Sequence, residues 1–311
     1  MPGEGNIGDI VHYVNGRFDY HQRVYKISSF PDNVMGRYVY HVLKATFKKW
    51  ALGQTVKATV DSLRLPTFEN FLIPLPSFQE QQNIASALDL LDTQIISIQH
   101  LLSKYESIKK ATVKKLMTPE EGWKLISFGE LCDDYGYGVS AAAKEYDGAN
   151  KYIRITDIDD TSHKFLPAPL ASPSFFSEKH IVHDGDILFA RTGASVGKSY
   201  LYNPNDGRLI YAGFLIRMHI DPSKANPAFI FQQTLTNVYW QWVATESART
   251  GQPGLNLEQY KKWKVLIPSI EVQNAIVYKL SAYDNKISEL NKTLSKLIKV
   301  KLSMLQYFFG D

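Results

Sequence analysis

The chain has a single cysteine, Cys132, among its 311 residues, which excludes an intrachain disulfide framework and a cysteine-based zinc cluster. Long apolar runs are also missing. No stretch approaches the ~18 residues of a membrane span, and Met1 to Ile10 is glycine-rich and acidic rather than basic then apolar, so neither a leader nor a membrane segment is read. Net charge is small: 35 Lys and Arg face 31 Asp and Glu, leaving +4, which permits an anionic partner without demanding one. None of the 8 histidines is joined to a serine or to Cys132 in a recognisable catalytic signature. What is present is 44% hydrophobic and 21% charged residues, enough for a buried core, over a length that suits about two domains of roughly 150 residues each. A soluble, cytoplasmic protein is expected.

The strongest signal is an internal repeat. Leu72-Ile73-Pro74-Leu75-Pro76-Ser77 has a counterpart in Leu266-Ile267-Pro268-Ser269, and each opens a long segment of helical pattern. In the first, apolar residues fall at Ile84, Leu88, Leu91, Ile95, Ile98, Leu102 and Tyr105; in the second, at Ile276, Leu280, Tyr283, Ile287, Leu290, Leu294 and Leu297. Each member of the second set follows its partner by 192 positions, so the match runs over three heptads without an insertion. Steps of four and three make a narrow seam suited to another helix. Ser77 with Glu80 reads as a capping box, Ser269 with Glu271 as a weaker start, and the first helix should stop near Thr118-Pro119. At 1.5 Å per residue each rod is roughly 55 to 60 Å long. If the repeats are related by a pseudo-twofold axis, the rods run antiparallel.

Between the rods the texture changes to short β-rich runs with frequent Gly, Pro and aromatics. Lys151 to Thr156, Asp186 to Arg191 and Ile210 to Ile220 read as strands, and Pro227 to Trp242 as a helix with proline at its start. The expected fold is α+β: two globules, each followed by a long helix, the helices forming an antiparallel coiled coil. The expected boundaries are 1–76 for a partial first globule, 77–118 for the first helix, 122–268 for the second globule and 269–311 for the second helix. Residues 1–76 are about half as long as 122–268, so the first globule is expected to be incomplete unless another chain or segment supplies the missing strands.

Gly193-Ala-Ser-Val-Gly197-Lys198-Ser199 resembles a phosphate-binding P-loop, but Thr192 stands where the first glycine belongs and strand, not helix, follows. As a loop between strands it is better suited to approach a polyanion backbone. Asn226-Pro-Ala-Phe229 lacks the second proline of an amino-methyltransferase motif and is simpler as a helix start. His180, His183, Asp184 and Asp186 are a weak metal candidate on a loop entering a strand, and no metal site is expected. No catalytic residue is assigned. Polar residues without catalytic spacing suit a reader of base edges and phosphates: Arg154, Arg191, Thr192, Ser195, Lys198, Gln252 and Asn256 in the second globule, and Asn15, Arg17, His21 and Arg23 in the first. The charge does not argue for this by itself, since residues 122–268 carry 15 basic and 15 acidic groups.

The order globule, rod, globule, rod is similar to that of the DNA specificity subunits of type I restriction-modification enzymes. The phrases that carry the resemblance are Leu72-Ile73-Pro74-Leu75-Pro76 through Gln82, Gly122-Trp123-Lys124 to Leu131, Gly185-Asp186-Ile187-Leu188 and Arg191-Thr192-Gly193. It implies a non-catalytic adaptor. Two target-recognition domains each read half of a split site in double-stranded DNA, and the helices space them and dock methyltransferase subunits, expected to be two. A restriction subunit cleaves, and a second copy or complementing chain is a candidate to complete the first domain. The resemblance implies no cofactor on this chain, with S-adenosylmethionine and ATP/Mg on the partners. The opening phrase at Gly122-Trp123 has no earlier copy. That leaves as the alternative an interaction scaffold, a truncated subunit that binds modification subunits or itself without reading a full site.

Overall fold

The computed structural model describes residues 1, 8–54, 63–248 and 254–310. Along them run α1 (Gly36–Val42), α2 (Lys48–Gln54), α3 (Leu65–Glu69) and the long α4 (Phe78–Leu116). Then follow β1 (Lys124–Ser127), β2 (Cys132–Tyr137), β3 (Ala143–Glu145), β4 (Lys151–Ile153), β5 (Ala171–Pro173), β6 (Asp186–Ala190), β7 (Ser199–Leu201), β8 (Leu209–Tyr211) and β9 (Leu215–Ile220). The chain closes with α5 (Pro227–Gln233), α6 (Asn237–Ser247), α7 (Leu257–Lys262), β10 (Lys264–Ile267) and the long α8 (Ile270–Phe309). Two compact units divide the chain, Met1–Tyr105 with Lys286–Asp311, and Glu106–Asn285, so each holds one end of each long helix.

The first unit is helical, with no strand among its described residues; 9–35 run without a regular element. A π-helical turn, Leu43–Phe47, joins α1 to α2. Tyr38, Val42, Phe47 and Ala51 bury one side of this stretch against Ala85 and Leu88 of α4 and Phe309 of α8. Phe47 stacks on Phe68 of α3 at 4.9 Å, and the Tyr38 hydroxyl donates to Pro74 O at 2.8 Å, so the ring keeps a partner for its polar end. α4 starts where Ser77 and Glu80 cap reciprocally: Ser77 N donates to Glu80 Oε2 at 2.9 Å and Glu80 N to Ser77 Oγ at 3.3 Å.

The second unit is built on an antiparallel sheet in the order β2-β9-β6-β7. β6 is buried at every residue because both faces are covered. Ile187 and Phe189 join Phe128, Tyr239, Tyr260 and Trp263 on one side, and Leu188 and Ala190 join Ile153, Tyr200 and Tyr211 on the other, as the period of two demands. β1 pairs with β10, β3 with β5, and β4 runs parallel to β8.

Three expected elements differ. The run Ile210 to Ile220 is two strands, because Leu215 N donates to Ala212 O at 2.8 Å and turns the chain at Gly213. A Cβ there would meet Ser140 Oγ at 2.6 Å, so a larger residue would have to push the Ser140 hydroxyl aside. The helix from Pro227 breaks at Thr234, whose hydroxyl bonds Phe231 O at 2.7 Å and Ser199 Oγ at 2.6 Å, and Thr236 caps α6 afresh. The strand from Lys151 ends at Ile153, where Arg154 and Asp157 close a 3-10 turn.

The 192-residue offset reappears in three dimensions. α4 begins at Phe78 and α8 at Ile270. Gln81 and its repeat equivalent Gln273 are both buried, and both clasp the chain in the same way. Gln81 Oε1 accepts from Met35 N and Gln273 Oε1 from Asn226 N (2.8 and 2.9 Å), while the Nε2 groups donate to Pro76 O and Pro268 O, each at 2.9 Å. In the first unit Lys301 of α8 pairs with Asp92 of α4; in the second, the repeat equivalents Lys109 and Asp284 pair at 2.6 Å with the helices exchanged. In each unit the start of one long helix meets the end of the other: Leu88 and Phe309 share the first core, Ile276 and Met117 the second. Of the seam positions, Leu88, Leu102, Ile276, Leu280 and Leu290 are buried, and Ile84, Leu91, Ile95, Ile98, Tyr105, Tyr283, Ile287, Leu294 and Leu297 are half-buried.

Candidate nucleic-acid interface

β2 is an edge strand, and near its end Tyr135 and Tyr137 project from one side of it, each residue about two fifths exposed. The next residue, Gly138, is wedged against backbone: a Cβ would lie 2.2 Å from Ala212 O. Gly138 N donates to Leu215 O (3.1 Å) and Val139 N to Tyr211 O (3.0 Å), so the end of β2 is held in place.

At the end of the central strand β6, Arg191 lays its guanidinium over the Tyr137 ring, 5.0 Å from the centroid. Its backbone is clamped on both sides, with Arg191 N donating to Phe214 O at 3.0 Å and Leu255 N to Arg191 O at 2.9 Å. Thr192 bridges Gly254, which brings 254–257 alongside. Leu257 N donates to the Tyr137 hydroxyl at 3.1 Å, Asn256 caps α7 by accepting from Gln259 N at 2.9 Å, and Lys261 places Nζ 4.4 Å from the Tyr135 ring centre. Arg191, Thr192 and Asn256 are thus brought together around Tyr137. Ser195 lies in the same loop, half-buried, and Gly197 seals the loop's far side against α6, where a Cβ would meet Val243 at 2.7 Å. Tyr135, Tyr137 and Lys261 were not in the expected set; the alternation Tyr135-Gly136-Tyr137-Gly138 was the available signal.

Two expected members point elsewhere. Arg154 forms a bidentate pair with buried Asp157, Nε to Oδ2 at 2.8 Å and an Nη to Oδ1 at 2.7 Å, closing its own turn. Lys198 is 6% exposed, and its ammonium is held by Ile158 O at 2.8 Å and Asp160 Oδ1 at 2.7 Å. Gln252 lies outside the described residues. In the first unit Asn15, Arg17, His21 and Arg23 are exposed on the segment without regular structure, with Arg23 N donating to His21 Nδ1 at 3.2 Å.

The titratable groups serve structure. Asp186, fully buried, is pushed up by desolvation despite accepting from His183 N at 2.7 Å and lying 2.8 Å from His219 Nδ1. Arg217 beside it pairs with Asp134. His180 bonds Ser177, and no metal-holding cluster occurs among the described residues. Burial pushes the Cys132 thiol up to about 12, far from a reactive thiolate.

A family model described as "Type I restriction modification DNA specificity domain" matches residues 4–107 and 120–300. The chain belongs to this specificity family. The MjaVIII specificity subunit of Methanocaldococcus jannaschii is 22% identical over 286 residues, covering 85% of this chain and 66% of that one. The EcoBI specificity subunit of Escherichia coli is 25% identical over 324 residues, covering 93% and 68%. The chain thus spans about two thirds of the length of these specificity relatives, which are named for recognition rather than catalysis. The crystal structure of a type I specificity subunit from M. genitalium shares the fold, with a TM-score of 0.64 at 16% identity over 88% of this chain and 72% of that one. No helix among the described residues is long and apolar enough to cross a membrane.

Proposed function

We propose that this specificity-family chain is a DNA-reading subunit of a type I restriction-modification complex, and that its second unit reads one half of a bipartite duplex site. The observation that carries the reading is the clamped group of Arg191, Tyr137, Thr192, Asn256 and Lys261 on the edge of an otherwise neutral globule. Arginine suits base edges, and hydroxyls, amides and lysine suit phosphates. In this reading α4 and α8 pair as an antiparallel coiled coil that spaces the two units, supported by the equivalent pairs Asp92–Lys301 and Lys109–Asp284. The first unit, through Asn15, Arg17, His21 and Arg23, contacts the other half-site.

Partner docking is supported by two grooves on the long helices that share some repeat-equivalent residues. One, in the second unit, is lined by Thr112, Leu116, Tyr278 and Tyr283; the other, in the first, by Met304, Tyr307 and Phe308. Leu116 and Phe308 are repeat equivalents, as are Thr112 and Met304. Repeat-equivalent residues in both grooves suit two copies of one methyltransferase subunit, which would carry S-adenosylmethionine, while ATP and Mg belong with a restriction subunit in the cytoplasm. A scaffold that binds such partners without reading DNA is the second reading, favoured by exposed Tyr278 and Tyr307 in those grooves. The test is methylation of a random duplex library by the reconstituted complex, followed by sequencing of the modified molecules. One enriched split motif is expected; the absence of any enriched motif would leave only the scaffold.

A further inference from the structure

Every described arginine of the second unit except one has its guanidinium committed to a carboxylate. Arg154 is taken by Asp157, Arg208 reaches Glu178 at 3.3 Å, and Arg217 pairs with Asp134. Arg191 has no ion pair and no side-chain hydrogen bond among the described residues, and its Nε is buried without a partner. The buried Nε leaves the terminal Nη1 and Nη2 edge as the part of the fork able to meet a ligand. The face of the guanidinium is occupied by the Tyr137 ring, which in turn is fixed by Leu257 N at its hydroxyl and by the glycine wedge at 138. A planar fork with one free edge, stacked and clamped, is organised for end-on bidentate recognition of two neighbouring acceptors.

We infer that Arg191 reads a guanine in the major groove of the duplex site and that Tyr137 is the positioning residue that aims it. This rests on the DNA-reading function proposed above. Guanine presents O6 and N7, two adjacent acceptors that match two N–H donors; adenine puts an amino donor at the first place and would oppose the fork, and thymine offers a single oxygen. Lys198 is buried against Ile158 O and Asp160, and Arg154 has its fork held by Asp157, so neither offers a free fork.

The experiment sequences the methylated products of a random duplex library for the complex containing wild-type chain, Arg191→Lys, Tyr137→Ala and Tyr137→Phe, with circular dichroism and methyltransferase binding checked for each. Arg191→Lys keeps the charge and loses the fork. It should relax discrimination about 5- to 150-fold at one G·C position and leave the other positions alone. Tyr137→Ala should relax the same position, and Tyr137→Phe, which keeps the ring, should return it towards wild type. If the wild-type motif is clear and neither Arg191→Lys nor Tyr137→Ala changes any G·C position, the inference is wrong while DNA reading stands. A uniform loss of methylation across all sequences would assign Arg191 to a phosphate and also overturn it. No motif with the wild-type chain would remove DNA reading and this inference together.

Discussion

Replacing Gln273 with leucine isolates what the repeated glutamine does. Gln273 is 1% exposed, accepts from Asn226 N at 2.9 Å and donates to Pro268 O at 2.9 Å. Leucine has similar volume and keeps the burial, so the cost comes from two backbone groups left without partners at about 1 to 3 kcal/mol each. Asn226 also caps α5, its Oδ1 accepting from Ala228 N at 2.9 Å, so a loosened Asn226 frays the helix that packs on the central sheet. A loss of about 2 to 6 kcal/mol corresponds to roughly 30- to 20,000-fold easier local opening. Hydrogen exchange read by mass spectrometry on peptides covering 226–233 should speed up by at least the lower figure, while peptides covering β6 change less. Gln81→Leu should do the same to α1, where a third bond, from Gln81 Nε2 to Asn33 O at 3.0 Å, is also lost. Unaltered exchange at 226–233 in a folded Gln273→Leu chain would refute the clasp.

Aspartate at Leu91 or Tyr283 places a charge on the half-buried seam and should cost several kcal/mol; a variant with unchanged helicity and melting temperature would refute the seam assignment. Asp284→Lys and Lys109→Asp should each weaken the second unit slightly, and the double exchange should recover most of it, with a coupling of about 0.2 to 1 kcal/mol in denaturant melts because water still reaches the pair. Strict additivity would count against the pair. Burial lowers His41 below its ordinary 6.5 against the pull of Asp89, so the folded chain binds fewer protons than the unfolded one, and stability should drop as pH falls below about 6.5. Asp89 would be raised by burial, but Arg37 and His41 hold it below 3.8, so its contribution is lost only under that pH. The fall in melting temperature between pH 7.5 and 5.5 should therefore shrink in His41→Gln; an equal fall would refute the assignment.

The long helices were legible because their signals are local and repeated: Ser77 and Glu80 make the cap the spacing suggests, and the chain leaves α4 just before Thr118-Pro119. β6 was legible as a short apolar run. Its neighbours were less so, because no change in apolar character marks the turn at Gly213 or the break at Thr234; contacts with Ser140 and Ser199, far along the chain, decide both. The partner of Arg154, Asp157, stands only three residues on, a spacing visible in the sequence, whereas Lys198 finds Asp160 38 positions away, which no spacing rule reports. Tyr137 escaped notice for the same reason: an edge-strand tyrosine becomes part of a site only when β6 and residues 254–257 arrive beside it. The glutamines at the helix starts were visible as a repeated phrase, but their backbone partners were not.

The most direct test of DNA reading by the second unit is an exchange of residues 122–268 for the corresponding segment of another specificity-family member, leaving both long helices in place, with the methylated sites sequenced. One contiguous half of the motif should change to that of the donor while the other half stays. An unchanged motif in a folded, methyltransferase-bound hybrid would contradict it.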